Sequence, residues 1–363
     1  MNIGVVITTF NSEDTIKECI NSLISKKVDS SFKLKIIVVD DCSTDSTKNI
    51  ISDYYSKGLI SKAIYLSLNK GISAARNKGI SECNDVDNIM FVDGDDSINI
   101  DFFDILKNNK ESLTNYTVVA SHAEITNKQN VIIEHFKENK VLSIEDASLE
   151  LYMDKYFTKP NKYSLFSRSW GRIYNMKIIN GKNKLRFNEK MDTYEDVEFN
   201  FRYLLINPQI FYLNHLFYYH NLGNNRSRSK HLVFGKYNKH ISKYNKLISM
   251  FAFIYALHAA KKFYCKISNK KMIHIKKMID HCSGAFICIT LVRICGRINS
   301  LNDFFSINNE IGYILNRKFF INIFKNYDPK KAGGNILLTF LLKKKMFFLA
   351  TLLGKYLFLK RYS

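Results

Sequence analysis

The chain has 363 residues, 46% of them hydrophobic and 24% charged, a balance that excludes an intrinsically disordered or low-complexity protein. Its formal net charge of +21 is unevenly placed: residues 1–230 carry 30 Lys and Arg against 29 Asp and Glu, residues 231–363 carry 24 against 4. Seven cysteines without a Cys-x-x-Cys pair imply neither a disulfide framework nor a zinc site.

That step in charge marks a compositional border near residue 230, between an electrically ordinary domain (1–230) and a basic, mainly helical region (231–363). Met1–Ile7 lacks the basic start of a signal peptide. No run reaches the roughly twenty apolar residues needed to span a bilayer. A reducing cytosol is the expected compartment.

Along the chain, Ile3–Ile7 reads as a first strand ending in the polar turn Thr8-Thr9-Phe10-Asn11-Ser12. Asn11 or Ser12 is placed to cap a helix in which Ile16, Ile20, Leu23 and Ile24 recur at helical spacing. Leu34–Val39 is a second strand ending on Asp40-Asp41, followed by a Ser/Thr/Asp-rich turn and a helix with Ile50, Ile51 and Tyr54. Ala63–Leu68 is a third strand, and Asn69-Lys70-Gly71 turns into a helix through Ala74, Ala75 and Ile80. A fourth strand, Ile89–Val92, delivers Asp93-Gly94-Asp95-Asp96.

Strands alternating with helices predict an α/β fold, a mostly parallel sheet flanked by helices, with ligands bound beyond the strands' carboxyl ends. The first, second and fourth strands all end in polar groups there. Three carboxylates within four residues repel one another, so the cluster suits a hard divalent cation; an acidic turn is the plainer reading. No Gly-x-Gly-x-x-Gly follows the first strand and no P-loop occurs, which removes the dinucleotide and P-loop options.

The ordered set Thr8-Thr9-Phe10-Asn11, Val38–Asp45, Asn69-Lys70-Gly71 with Ala74–Gly79, Phe91–Asp96, Trp170–Tyr174, Arg186-Phe187 and Tyr194–Phe199 resembles the family 2 glycosyltransferases over about residues 1–230. The resemblance implies a GT-A fold and a nucleotide-sugar donor, a UDP-sugar by preference. It implies that Thr8, Phe10, Asn11 and Asp41 hold the nucleotide base and that Arg76 sits beside the nucleotide or its diphosphate. Asp93 would face the ribose, and Asp95, with Asp96 able to share the duty, would hold Mn²⁺ or Mg²⁺. Asp196, second of the Glu195-Asp196 pair, would be the general base of an inverting transfer; the pair also suits the first turn of a helix.

Thr8 stands where the family often has Pro. Many relatives show Tyr-x-Arg after the last strand, whereas this chain has Tyr218-Tyr219-His220-Asn221 and then Arg226 and Arg228. His220 is thus a candidate phosphate contact or metal ligand, or a surface histidine; Arg226 or Arg228 could take the phosphate role instead. Trp170, the sole tryptophan, is either core or a platform for an acceptor sugar, and Glu195 is a further candidate contact for the acceptor or donor sugar.

The basic region ends in Ile336–Leu342, Lys343-Lys344-Lys345 and Met346–Leu353, with Lys355, Lys360 and Arg361 beyond. Such segments suit an anionic membrane interface; a helical subdomain with a solvated basic face is the bland alternative. No nucleic-acid-binding signature is present, and no nucleic acid partner is expected. With the basic region beside it, the resemblance implies a metal-dependent inverting glycosyltransferase of bacterial surface-polysaccharide assembly on the inner face of the cell membrane, acting on a growing, lipid-linked glycan of capsule, O-antigen or lipooligosaccharide type. The alternatives are a nucleotide-sugar-binding protein without transfer activity and a basic lipid- or nucleic-acid-binding scaffold.

Overall fold

The computed structural model describes residues 1–25, 28–126, 130–159, 162–163, 165–191, 193–222 and 245–362. The chain divides into two compact units, one of residues 1–149 with 165–226, the other of 150–164 with 227–363.

Unit 1 is built on a sheet with strand order β3-β2-β1-β4-β9-β6-β10-β5. Strands β1 (Asn2–Thr9), β2 (Lys33–Asp40), β3 (Lys62–Tyr65) and β4 (Asn88–Asp93) run parallel, joined by α1 (Ile16–Ile24), α2 (Thr47–Ser56) and α3 (Ile72–Ser81). Beyond them come β5 (Ser97–Ile98), α4 (Phe102–Lys107), α5 (Ser112–Asn115), β6 (Thr117–Ile125), β7 (Asn130–Ile133) and β8 (Lys140–Leu142). After α6 (Ser148–Thr158), nearly all of which belongs to unit 2, follow β9 (Arg172–Asn175), α7 (Met176–Ile179), α8 (Glu195–Ile206) and β10 (Ile210–Asn221). Strand β9 is antiparallel to both β4 and β6, and β10 lies parallel to β6.

Unbroken apolar runs suit the central strands because helices cover both faces of the sheet. Ile3, Val5 and Ile7 of β1 pack with Ile16, Cys19, Ile20 and Leu23 of α1, an i, i+3, i+4, i+7 stripe. Val6, Ile37 and Val39 face the other way, against Ala75 and Ile80 of α3 and Phe199 and Tyr203 of α8. The register sets Thr8 opposite both Val39 and Asp93, and Thr9 opposite Asp40, so the polar tips of β1, β2 and β4 are level.

Two expectations are corrected here. The third strand stops at Tyr65, paired with Asp40, because its partner β2 turns away at that point and leaves Leu68 exposed. Helix α1 starts at Ile16 and is not capped by the side chain of Asn11 or Ser12; the Ser12 carbonyl instead accepts the N–H groups of Thr15 and Ile16.

Unit 2 is helical, with helices Asn245–Ile267, Met272–Cys295, Leu301–Leu315, Lys318–Asn326, Ile336–Lys343 and Phe347–Tyr362. Met272–Cys295 is, against expectation, long and apolar enough to cross a membrane, and 61% of its apolar window is buried within the unit. Scanning for an uninterrupted apolar run misses it because Lys276, Lys277, Asp280, His281 and Arg293 break the run.

Close packing of α3 on β1 depends on Gly79, where an added Cβ would lie 2.2 Å from Val6 Cγ1. Gly79→Ala is expected to cost about 1–3 kcal/mol by overpacking, read as a lowered urea midpoint at unchanged slope. An unchanged midpoint would contradict this packing.

Candidate active site

The tips of β1 and β2 are stitched together by side chains. Buried Asp40 accepts from Ser43 N–H at 3.0 Å and from the Ser43 hydroxyl. Ser43 Oγ in turn accepts from Asn11 N–H at 2.8 Å, and Asn11 Oδ1 accepts from Thr44 N–H at 2.8 Å. Asn11 sits at φ 50, a left-handed conformation that Asn tolerates better than most residues. It is thus committed to the turn. Asp41 is buried, and its two oxygens accept the backbone N–H groups of Lys70 and Gly71 at 2.7 and 2.8 Å, which fixes the entry to α3. Thr8 is buried with its hydroxyl unpartnered, while Phe10 is exposed at the turn.

The acidic tip of β4 is clasped against β1. Gly94 N–H donates to Thr8 O at 2.8 Å, and the Thr15 hydroxyl donates to Gly94 O at 3.0 Å. A Cβ at Gly94 would lie 2.8 Å from Thr9 Cβ, so only glycine allows this approach. The three carboxylates then diverge in role. Asp96 is buried and spoken for: Oδ2 accepts from the Tyr218 hydroxyl at 2.7 Å and Oδ1 from Asn221 N–H at 2.8 Å. Tyr218 Oη also accepts from Asp93 N–H at 3.1 Å, which ties β10 to the tip of β4. The Asp95 carboxylate receives no donor from another described residue; burial, then the charge on Asp93, pushes its pKa up to about 7.

Asp93 meets the other half of the site through Arg76. This guanidinium is only 1% exposed. Its Nη2 donates to Asp93 Oδ1 at 3.0 Å, and its Nη1 to Asp196 Oδ1 at 2.6 Å and Glu195 Oε1 at 3.4 Å. Burial alone would lower its pKa, but Asp196, Asp93 and Glu195 overcome that and hold it above the ordinary value. Glu195 and Asp196 occupy the first turn of α8, where the helix dipole favours carboxylates. Arg76 therefore underlies the site and joins its two acidic walls; it is not an exposed contact for a nucleotide.

Trp170 is core. Its ring stacks on Tyr218 at 4.4 Å and is also met by His220 at 4.8 Å and the Arg168 guanidinium at 4.7 Å, which leaves no open face for a sugar. His220 is not a surface histidine: Nδ1 is buried without a partner, and burial, then Arg168, lowers its pKa to about 3. At neutral pH it is an uncharged imidazole and no substitute for an arginine's charge. Arg168 also pairs with Glu124 at 2.9 Å and contacts His122. Arg226 and Arg228 lie outside the described residues. Among the described residues no three His, Cys, Asp or Glu side chains gather into a metal-binding set. Sequence reasoning missed Tyr218 as an anchor and the Arg168 cluster, because a strand tyrosine and an isolated arginine carry no spacing signal.

Two predictions follow from this geometry. Replacing Arg76 by Met strips the partner from buried Glu195 and half-buried Asp93 and Asp196 and is expected to cost about 2–4 kcal/mol in denaturant unfolding, with Arg76→Lys only partly restoring it. A loss below about 1 kcal/mol would contradict the bridge. Burial lowers His122 to about 2 and His135 to about 4, against an unfolded value near 6.5. The unfolded chain alone takes up these protons, so stability falls as pH drops below about 6.5. Between pH 6.5 and 5 each should cost about 1.5 kcal/mol, and His135→Gln should flatten the slope; a slope unchanged by the substitution would show that His135 is not buried neutral.

Residues 4–180 match the model of the family described as "Glycosyl transferase family 2". The glycosyltransferase GlyA of Streptococcus pneumoniae is 24% identical over 218 residues, 60% of this chain and 30% of that protein. The cholesterol galactosyltransferase of Borreliella burgdorferi is 28% identical over 221 residues, 60% of this chain and 59% of that one. The chain thus spans less than two thirds of the length of these curated relatives. Staphylococcus aureus TarS, a poly(ribitol-phosphate) β-N-acetylglucosaminyltransferase also solved with UDP-GlcNAc, has a fragment whose crystal structure is similar at a TM-score of 0.61. That match is 17% identical and covers 98% of this chain and 90% of the fragment, a likeness of fold. By this match, residues 4–180 belong to glycosyl transferase family 2.

Proposed function

We propose that this chain transfers a sugar from a UDP-sugar to a hydroxyl of a growing cell-surface polymer or lipid-linked glycan, inverting the anomeric configuration. The observation that carries this reading is the Arg76 bridge, which brings Asp93 at the end of β4 and Asp196 at the start of α8 to one guanidinium. Inverting transfer needs a base for the acceptor hydroxyl close to the groups that hold the donor, and the bridge brings candidates for both together. The TarS fragment, which shares this fold, has been solved with UDP and with UDP-GlcNAc, which supports a UDP-sugar donor.

In the transfer the bond from the anomeric carbon to the diphosphate oxygen breaks, its electron pair leaving with the nucleoside diphosphate. The acceptor oxygen bonds the same carbon, and its proton passes to Asp196. Arg76 holds Oδ1 of Asp196, and among the described residues no donor is recorded on Oδ2, so one oxygen is positioned and the other is left to take the proton. Thr8, Phe10 and Asp41 remain our candidates for the base, with Asp93 toward the ribose.

The donor set at the tip of β4 fits a hard cation. Asp95 is half-buried beside another carboxylate, so a cation there relieves both desolvation and repulsion. Mn²⁺ or Mg²⁺ held by Asp95, with water and donor phosphates completing its shell, would neutralise the departing diphosphate. Asp96 is already engaged by Tyr218 and Asn221, and Asp95 is the better ligand. The unpartnered, uncharged His220 can approach the phosphates or the cation through a ring nitrogen. A nucleotide-sugar donor places the reaction in the cytoplasm, and a lipid-linked acceptor places it at the inner face of the membrane.

Purified protein with Mn²⁺ and a panel of nucleotide sugars should release nucleoside diphosphate from a UDP-sugar. Asp196→Asn should lower kcat by about 10²–10⁴-fold while nucleotide binding persists. Donor binding without release from any sugar, even with glycan acceptors, would instead identify a binding protein.

A further inference from the structure

Unit 2 carries a feature that sugar transfer does not use. Helix Phe347–Tyr362 buries Ala350, Thr351 and Phe358 inside the unit. Its other side is apolar yet open: Phe348, Leu349, Leu352, Tyr356 and Leu359 are each 43–59% exposed. Their spacing, with steps of three and four, puts them on one stripe. Helix Ile336–Lys343 repeats the arrangement, burying Leu338, Leu341 and Leu342 while exposing Ile336, Leu337 and Phe340. Lys343 closes this helix, its Nζ donating to Tyr327 O at 3.1 Å, and Lys344 and Lys345 follow before the next; all three are exposed. Single exposed apolar residues need no explanation, but a run across two consecutive helices marks an interaction surface.

Charge selects the partner. Residues 329–363 contain eight Lys and Arg and no Asp or Glu. We propose that these two helices dock unit 2 on an anionic lipid surface, with the apolar stripe among the acyl chains and the lysines on headgroup phosphates. Long lysine stems can lie along the apolar layer while their ammonium groups reach outward. An interfacial helix binds by apolar burial plus attraction to anionic lipid, and both ingredients are present. Pairing with a second copy of this chain would set like charges face to face. Nucleic acid would leave the apolar stripe uncovered.

The test is sedimentation of the full chain with sucrose-loaded vesicles, phosphatidylglycerol mixed into phosphatidylcholine against phosphatidylcholine alone. Truncation is unsuitable, since Ala350 and Phe358 belong to the core of the unit. The intact chain should sediment with anionic vesicles, less so at high salt, and far less with neutral ones. Changing Lys343, Lys344 and Lys345 together to Gln should weaken partitioning about a hundredfold, each lysine being worth about fivefold near an anionic surface. Leu352→Asp with Tyr356→Asp should also release the chain, with an unchanged melting temperature and unchanged nucleotide binding in solution. Should the apolar variant unfold, the lysine variant, confined to exposed side chains, still decides. Equal binding to neutral and anionic vesicles, no binding to either, or indifference to both variants would overturn the proposal. So would conversion of a dimer to a monomer by the apolar variant with no response to vesicles.

Discussion

A guanidinium buried among three carboxylates is the constraint on which unit 1 turns. Arg76 could not stay charged at 1% exposure without Asp93, Asp196 and Glu195, and those acids would repel one another without it. The bridge links α3, the tip of β4 and the first turn of α8, elements far apart in the chain. It sets the distance between the acidic strand end and the acidic helix start, and so the width of the space in which a donor would sit. A second tie acts alongside it: Tyr218 holds both Asp93 N–H and Asp96, fixing β10 to the same strand tip. Together they divide the acidic cluster into a tethered member, a bridged member and Asp95, whose carboxylate no other described residue engages.

Much of this was legible in the sequence because the signals were local. The strand–helix alternation followed from apolar periodicity, and the level polar tips followed from a parallel sheet whose register aligns Thr8 with Asp93. What was not legible depended on contacts between distant segments. Arg76 lies on a helix with a weak apolar face, and nothing in its neighbours reveals that Asp196, 120 residues later, meets it. Asp96 looked equivalent to Asp95 until β10 was seen to occupy both of its oxygens. For Trp170 the sequence leaves core and sugar platform both open, and the packing of Tyr218, His220 and Arg168 around its ring makes it core. The third strand was read too long because strand length at a sheet edge is set by its partner's turn, which local composition does not carry.

The basic region illustrates the complementary case. Composition located its charge, but only the burial pattern separates the apolar residues that build unit 2 from those left facing outward. Met272–Cys295 shows why that distinction matters: by length and composition it suits a bilayer, yet most of its apolar window is already covered by its own unit. The exposed stripe on the last two helices is different in kind, since it is apolar, uncovered and surrounded by uncompensated cations.

The central claim is that Asp196 takes the acceptor's proton while Asp93, toward the ribose, helps to hold the donor, and that the two are coupled through Arg76. The most direct measurement is kcat/KM for Asp93→Asn, Asp196→Asn and the pair, with whichever UDP-sugar the enzyme turns over. The account predicts a strongly non-additive cycle, the double variant losing far less than the product of the two single losses. Losses that simply multiply would mean that the two carboxylates work independently and that the bridge is only structural.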